Sequence, residues 1–293
     1  MELYRKSALE RISSPEQLDK AMTVTSPLSW LALIAVTVMI VLAVVWSFVG
    51  TIPVTVTARG IVREPTGTNA LFMPRAGTVV DYINNTYEGT RVVVHQPVLR
   101  YRTRGGEEEA ASDQIGYIEK LLVSGGDEVH IGSEIARITP DLEKYNEVNG
   151  PYFTTDQVVV CYVSLEDAKR LSTSEDVNVY LVGKQSSGYM RARVLCVDSY
   201  VSSAAGLDYV LGEGNNLAAS FQQNGSSVVA VTCALRKADP SHPTASGLLW
   251  SSARGDKLEV ANGTLVEAKI IVETVKPITK LFTQLNDLWE GAA

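Results

Sequence analysis

Three cysteines and three histidines are the side chains of this 293-residue chain best suited to nucleophilic or metal chemistry. Cys161, Cys196 and Cys233 each stand in an apolar run (VVVCYV, RVLCV, VVAVTCAL). An odd count at wide spacing is no disulfide framework and gives no CxxC metal pattern, and no His and Cys are paired as base and nucleophile. The spacing predicts buried free thiols, with one bridged pair as the alternative. His95, His130 and His242 sit in polar, turn-like settings without a carboxylate or cysteine at ligand spacing, and read as surface residues. No GxSxG, HExxH, GxGxxG or P-loop stands in a strand-to-helix context. Three triplets beginning at Asn84, Asn224 and Asn262 match the glycosylation acceptor pattern, which is frequent by chance. These residues predict no enzyme and no metal. With 26 Lys and Arg against 33 Asp and Glu, the formal charge of -7 argues against nucleic acid as a partner.

The elements around these residues begin with a membrane span. Residues 28–49, LSWLALIAVTVMIVLAVVWSFV, lie inside a stretch from Ala21 to Ala58 that has no charged residue. A helix of that length extends roughly 33 Å, enough to cross a hydrocarbon core of about 30 Å. Trp30 and Trp46 sit near its ends, where amphipathic indoles prefer the headgroup level and anchor the depth. A cleaved signal peptide would have a shorter apolar core nearer the terminus and a small-residue cleavage site after it. Arg5, Lys6, Arg11 and Lys20 precede the span, whereas only Arg59 and Arg63 fall in the twenty residues after it. That bias places the N-terminus in the cytoplasm and the large C-terminal part outside.

The leader reads as two short helices. Leu3, Leu9 and Ile12 mark one face of the first; Ser14, Pro15 and Gln17 start a second, which carries Leu18, Ala21 and Met22. It is either a tail on the membrane surface or a handle for a membrane partner. After the span, Val54, Val56 and Ala58 alternate as a strand. Two similar segments follow, 77–101 and 116–138, matched at a constant offset of 37 from Gly89 and Gly126 onward. Each is a strand, a tight turn and a second strand, with Gly89, Gly126 and Gly132 as structural turns. Neither copy can bury its own apolar face, so the pair is expected to pack as one small β unit.

Gly116, Ile118, Leu121, Val123, Gly126, Asp127, Val129, Gly132, Ile135 and Ala136 resemble the second half of a lipoyl or biotinyl domain, in the form carried by haemolysin-D-type membrane fusion proteins, the secretion adaptors. In that family a single span precedes a first half-motif, an inserted helical hairpin, the second half-motif and a β-barrel. The order is similar here. Cofactor-bearing relatives attach the group to a lysine in the turn between the halves, and no lysine occurs between Lys20 and Lys120, so no cofactor is expected. The insert, RTRGGEEEAASD at 102–113, is too short for a helical hairpin and reads as a solvated connector. Short pieces (SSPEQLDKAMTVTSP, SYVSSAAGLDYVLG, WSSARG) are similar to the branch associated with nitrile-hydratase-leader peptides, bacteriocins and peptidase-containing ABC transporters.

The resemblance implies a mainly β fold: one N-terminal transmembrane helix, a split lipoyl-like β-sandwich without the helical hairpin, then a β-barrel with short helices. The expected boundaries are a leader (1–27), the span (28–49), a membrane-proximal strand (50–70), a lipoyl-like domain (71–140), a barrel domain (141–275) and a C-terminal amphipathic helix (276–293). In the barrel part, Ser164 and Ser203 are expected to open short helices. The implied function is that of a single-pass adaptor in the cell membrane, its partners a peptidase-containing ABC transporter, the exported peptide, the membrane and further copies of itself. The alternatives are an adaptor for a proton-driven efflux pump and an independent envelope scaffold. Ala43 and Ser47 form a small-xxx-small pair, supported by Ala32 and Ala35, that would let a transporter helix approach closely. Leu9, Ile12 and Leu18 of the leader are the other expected contacts.

Overall fold

The computed structural model describes residues 27–83, 85–212, 217, 221 and 227–279. Leu9, Ile12 and Leu18, and most of the expected C-terminal helix, lie outside the described residues. The fold is mainly β, with one N-terminal apolar helix, a closed six-stranded barrel and a few short helices. Helix α1 (Pro27–Val49) belongs to one compact unit, and residues 53–274 form a second.

In α1 no charged residue interrupts the apolar run, and Thr37 returns its hydroxyl to Leu33 O at 2.8 Å, so the backbone and this side chain are satisfied without water. The helix ends where Gly50 N reaches Trp46 O at 2.7 Å; a Cβ at Gly50 would lie 2.6 Å from that oxygen. Pro53 then cannot continue it.

The barrel runs β1 (Ile52–Arg63), β10 (Phe153–Ser164), β13 (Val228–Arg236), β12 (Met190–Val197), β11 (Asp176–Leu181), β14 (Leu265–Val275) and back to β1. The strand that follows α1 is therefore a barrel stave. Gly60 lets β1 lie close to β10, because a Cβ there would stand 2.6 Å from Val160 O and 2.7 Å from Cys161 Sγ. β10 and β13 are continuous apolar runs because both of their faces are covered. Val159, Cys161, Val231 and Cys233 fill the barrel, while Val158, Val160, Val228 and Ala230 pack outward against Leu142, Leu207, Val210 and Leu211. Those four come from helices α2 (Leu142–Asn149) and α4 (Ala204–Leu211). The hydroxyls of Ser164 and Ser203 accept from Asp167 N and Gly206 N, so both expected helix starts are present, at α3 (Leu165–Ala168) and α4.

The two half-motifs make two facing four-stranded sheets, ordered β2-β9-β7-β4 and β6-β5-β3-β8. Here β2 is Asn69–Phe72, β3 Gly77–Tyr82, β4 Arg91–Val92, β5 Pro97–Thr103, β6 Gly106–Ala111, β7 Gly116–Leu121, β8 Glu128–Val129 and β9 Glu134–Pro140. Each copy lends its short strand to the other, since β4 pairs β7 and β8 pairs β3. The hydrogen bonds repeat with the sequence: Gly89 N donates to Ile118 O and Gly126 N to Val79 O; Ile118 N donates to Thr90 O and Val79 N to Asp127 O. By this pseudo-twofold interleaving each half completes the other's sheet. Their shared core contains Leu71, Val79, Val98, Leu99, Ile118, Ile135 and Ile138.

Gly89, Gly126 and Gly132 have φ of +91°, +97° and +76°, the left-handed region that glycine enters freely. His95, one repeat before Gly132, has φ +63°. Because nothing lies within 4 Å of a Cβ added at Gly126, Gly126→Val should cost only the backbone strain, about 1–2 kcal/mol. Urea unfolding of the purified chain checks this, and an unchanged midpoint would contradict it.

Residues 102–113, expected as a solvated connector, are mostly strand: β5 and β6 form a tight hairpin. The glutamates that suggest a solvated loop meet arginines, across the ladder for Glu107 and Glu109 and from the segment before β3 for Glu108. Arg102 meets Glu107 at 2.8 Å, Arg75 meets Glu108 at 2.9 Å, and Tyr101 Oη donates to Glu108 at 3.0 Å. Cross-strand charge pairing of this sort leaves no trace in hydrophobic periodicity.

Candidate functional site

The expected membrane contacts lie on α1. Trp30 and Trp46 are 58% and 59% exposed, so both indoles are available to a surrounding phase. Ala32, Ala35 and Ala43 are exposed and Ser47 is half-buried. At about 100° per residue, Ala32, Ala43 and Ser47 fall within roughly 60° of one another and Ala35 about 60° to the other side, which makes one stripe of small side chains. The turn glycines belong to the sandwich and are apart from this stripe in the chain.

Within residues 53–274, sandwich and barrel meet through buried polar groups that sequence patterns did not reveal. Thr232 on β13 donates its hydroxyl to Asn69 Oδ1 at 2.7 Å; Asn69 Nδ2 donates to Gln114 Oε1, and Gln114 Nε2 to Ala70 O at 3.2 Å. All three side chains are buried. Beside them Arg137 of β9 is ion-paired with Glu134, their side chains only 5% and 9% exposed. Glu134 also accepts from the Ser203 hydroxyl at 2.8 Å, which holds the start of α4. Arg137 stacks over the Tyr209 ring at 5.1 Å, and Arg63 donates to Tyr209 O and Val210 O, meeting the negative end of the same helix. Bonds to charged groups that are also desolvated fix orientation strongly, so this junction joins the two β modules rigidly.

Asp198 completes the cluster. Its backbone N donates to Ala230 O, and its carboxyl accepts from the backbone of Ala70. Burial pushes this carboxyl well above the usual range; Arg137 opposes the rise, and Asp113 and Glu134 add to it. An acid whose folded pKa is raised binds more protons folded than unfolded, so the stability it confers falls as pH rises from its unfolded pKa of about 4 toward the folded one. Asp198→Asn should therefore flatten the pH dependence over that window and raise the unfolding midpoint at neutral pH. Thermal melts of both forms at a series of pH values check this.

The three cysteines are free. The hydrogen bond with Cys233 and then burial push the Cys161 thiol up, and burial with Asp198 and Asp113 does the same to Cys196. Both are thereby kept as thiols, unsuited to nucleophilic attack. Cys196 borders a cleft of about 390 Å³ shared with Val94, Ile115, Tyr145, Val148 and Leu195. Among the described residues, no group of three or more His, Cys, Asp and Glu side chains is placed to hold a metal ion. The β5–β6 turn carries Arg104 and Gly105.

The fold and these contacts define a chain with one apolar helix, a sandwich of two interleaved half-motifs and a barrel. No family profile matches it, and no curated protein does. Among solved structures it is similar to ZneB from Cupriavidus metallidurans (9% identity, 75% of this chain and 98% of that one, TM-score 0.26). It is also similar to MacA from Actinobacillus actinomycetemcomitans (9% identity, 78% and 81%, TM-score 0.31). A third is the membrane fusion protein Spr0693 from Streptococcus pneumoniae R6 (9% identity, 73% and 98%, TM-score 0.27). At these identities and scores the likenesses carry no functional argument.

Proposed function

We propose that the chain is a membrane-anchored adaptor subunit of an ABC-type peptide export system, without catalytic activity of its own. The observation that carries this reading is the interleaved pair of half-motifs, followed by a barrel whose first stave comes directly after a span-length apolar helix. Such a chain offers an anchor, a rigid junction and outer surfaces. The energy for transport is then the partner's ATP hydrolysis. The hairpin at 103–106 is too short to reach across an envelope, so contacts with the transporter fall to the leader, the span and the barrel, in several copies around it. In this reading the N-terminus is cytoplasmic, residues 50–275 are outside, and the stripe of Ala32, Ala35, Ala43 and Ser47 faces a transporter helix.

Leucine at both Ala43 and Ser47 closes the small-residue face without lowering hydrophobicity. This variant should keep its abundance in the membrane while export and the amount of transporter recovered with it fall several-fold. Quantitative mass spectrometry of tagged protein from native membranes measures both quantities. Full recovery would remove the span from the docking surface.

A further inference from the structure

Among the described residues, the helices that pack on the outer face of the barrel lie over β1, β10 and most of β13. Over the end of β13 and across β12, β11 and β14 no described helix packs, and the register there aligns cations. Arg236 pairs with Phe153, Arg193 with Asp176, Arg191 with Asn178, and Asn178 with Lys269. The inward neighbours Leu235, Ala192, Val177 and Ile270 are buried, so the aligned residues point outward. Arg193 and Arg236 share Asp176 at 3.5 and 3.6 Å, and that carboxylate is itself 61% exposed. Among the described residues Arg191 and Lys269 have no ion-pair partner; Lys269 lies over the Tyr180 ring at 5.0 Å. Tyr180 packs on Tyr189 at 5.4 Å, and Glu267 opposite Tyr180 is the next carboxylate. Four cations thus face three carboxylates, Asp176, Glu267 and the exposed Glu273 of β14, on a chain whose formal charge is -7.

The face has relief as well as charge. A cup of about 190 Å³ lies between Arg191, Arg236, Asn178 and Tyr189, and Asp176, the partner of Arg236, lines one side of it. Val182, 56% exposed, and Leu265, 37% exposed, give the patch an apolar end. Exposed arginine and tyrosine beside a small apolar area is the composition of polypeptide interfaces, whereas attraction to an anionic lipid surface uses lysine-rich, mobile segments.

We propose that this face of the barrel docks an acidic polypeptide segment, one of whose carboxylates enters the cup between Arg191 and Arg236. Resting on the export reading, the segment belongs to an extracytoplasmic part of the transporter. Arg236 reaches the cup already braced against Phe153 at 5.7 Å, which lowers the entropy lost when it binds a carboxylate. Arg191 supplies the free second cation.

The test uses the full-length chain in detergent and a fluorescent oligoglutamate peptide as probe. Wild type should bind it in a salt-sensitive way, and Arg191→Glu with Arg236→Glu should weaken binding about tenfold or more, with Arg191→Gln and Arg236→Gln intermediate and all melting temperatures alike. Absence of binding by wild type, or equal binding by the folded Glu variant, would overturn the proposal. So would binding to phosphatidylglycerol vesicles that exceeds peptide binding and is lost in the Glu variant. In native membranes the same variant should recover about tenfold less transporter. If wild type binds the peptide but recovers no transporter, the export reading fails and the acidic-segment site stands.

Discussion

Arg137→Met should destabilise residues 53–274 by about 3–5 kcal/mol, the usual cost of removing one partner from a buried ion pair. Methionine fills much of the same volume, so the loss reflects Glu134 left in a desolvated site beside Asp198 and Asp113. The Glu134→Gln, Arg137→Met double variant should regain most of that stability, because no uncompensated charge remains. Urea unfolding of wild type, both single variants and the double variant gives the coupling energy directly. Simple additivity would mean that the junction is not held by this pair. Under the proposed export function the consequence is mechanical: a loosened junction lets sandwich and barrel move separately, and export should fall even where folded protein persists.

Trp250→Ala is expected to cost a similar amount, about 3–5 kcal/mol, since a buried indole leaves a large cavity. Trp250 is 7% exposed and belongs to the barrel core. Its Nε1 donates to the Ser246 hydroxyl at 3.0 Å, and it bridges Met190 at the start of β12. The chain after it must come very close. Gly255 lies directly against the indole, where a Cβ would clash. Trp250→Phe keeps most of the apolar volume and loses the hydrogen bond, so its smaller loss separates packing from bonding. Differential scanning calorimetry measures both; an alanine variant that melts like wild type would show that Trp250 does not stabilise the barrel core.

Much of this architecture was legible in the sequence because it is written in hydrophobic pattern. The charge-free run shows the long apolar helix, the repeat at an offset of 37 shows the sandwich, and Ser164 and Ser203 show two helix starts. The fold class follows from these. What pattern cannot show is pairing between distant polar groups. Asn69, Gln114 and Thr232 meet across 163 residues of chain, and nothing local distinguishes them from surface residues. The β6 strand was hidden for a related reason: Glu107, Glu108 and Glu109 look solvated until Arg102, Arg75 and Arg100 stand near them. Helix α2 gives a weak signal although Asp141 caps it, with its side chain accepting from Lys144 N, because in LEKYNEVN only Leu142, Tyr145 and Val148 are apolar or aromatic. The basic face of the barrel was invisible because its arginines alternate with core residues on separate strands, and only the register aligns them.

Purification of the tagged full-length chain from its native membrane, with identification of what accompanies it, tests the adaptor reading most directly. The account predicts an ABC transporter with a cytoplasmic peptidase domain, several adaptor copies per transporter, and loss of peptide export when the adaptor is absent. Recovery with a proton-driven pump in its place, or of the chain alone with export undiminished in its absence, would contradict it.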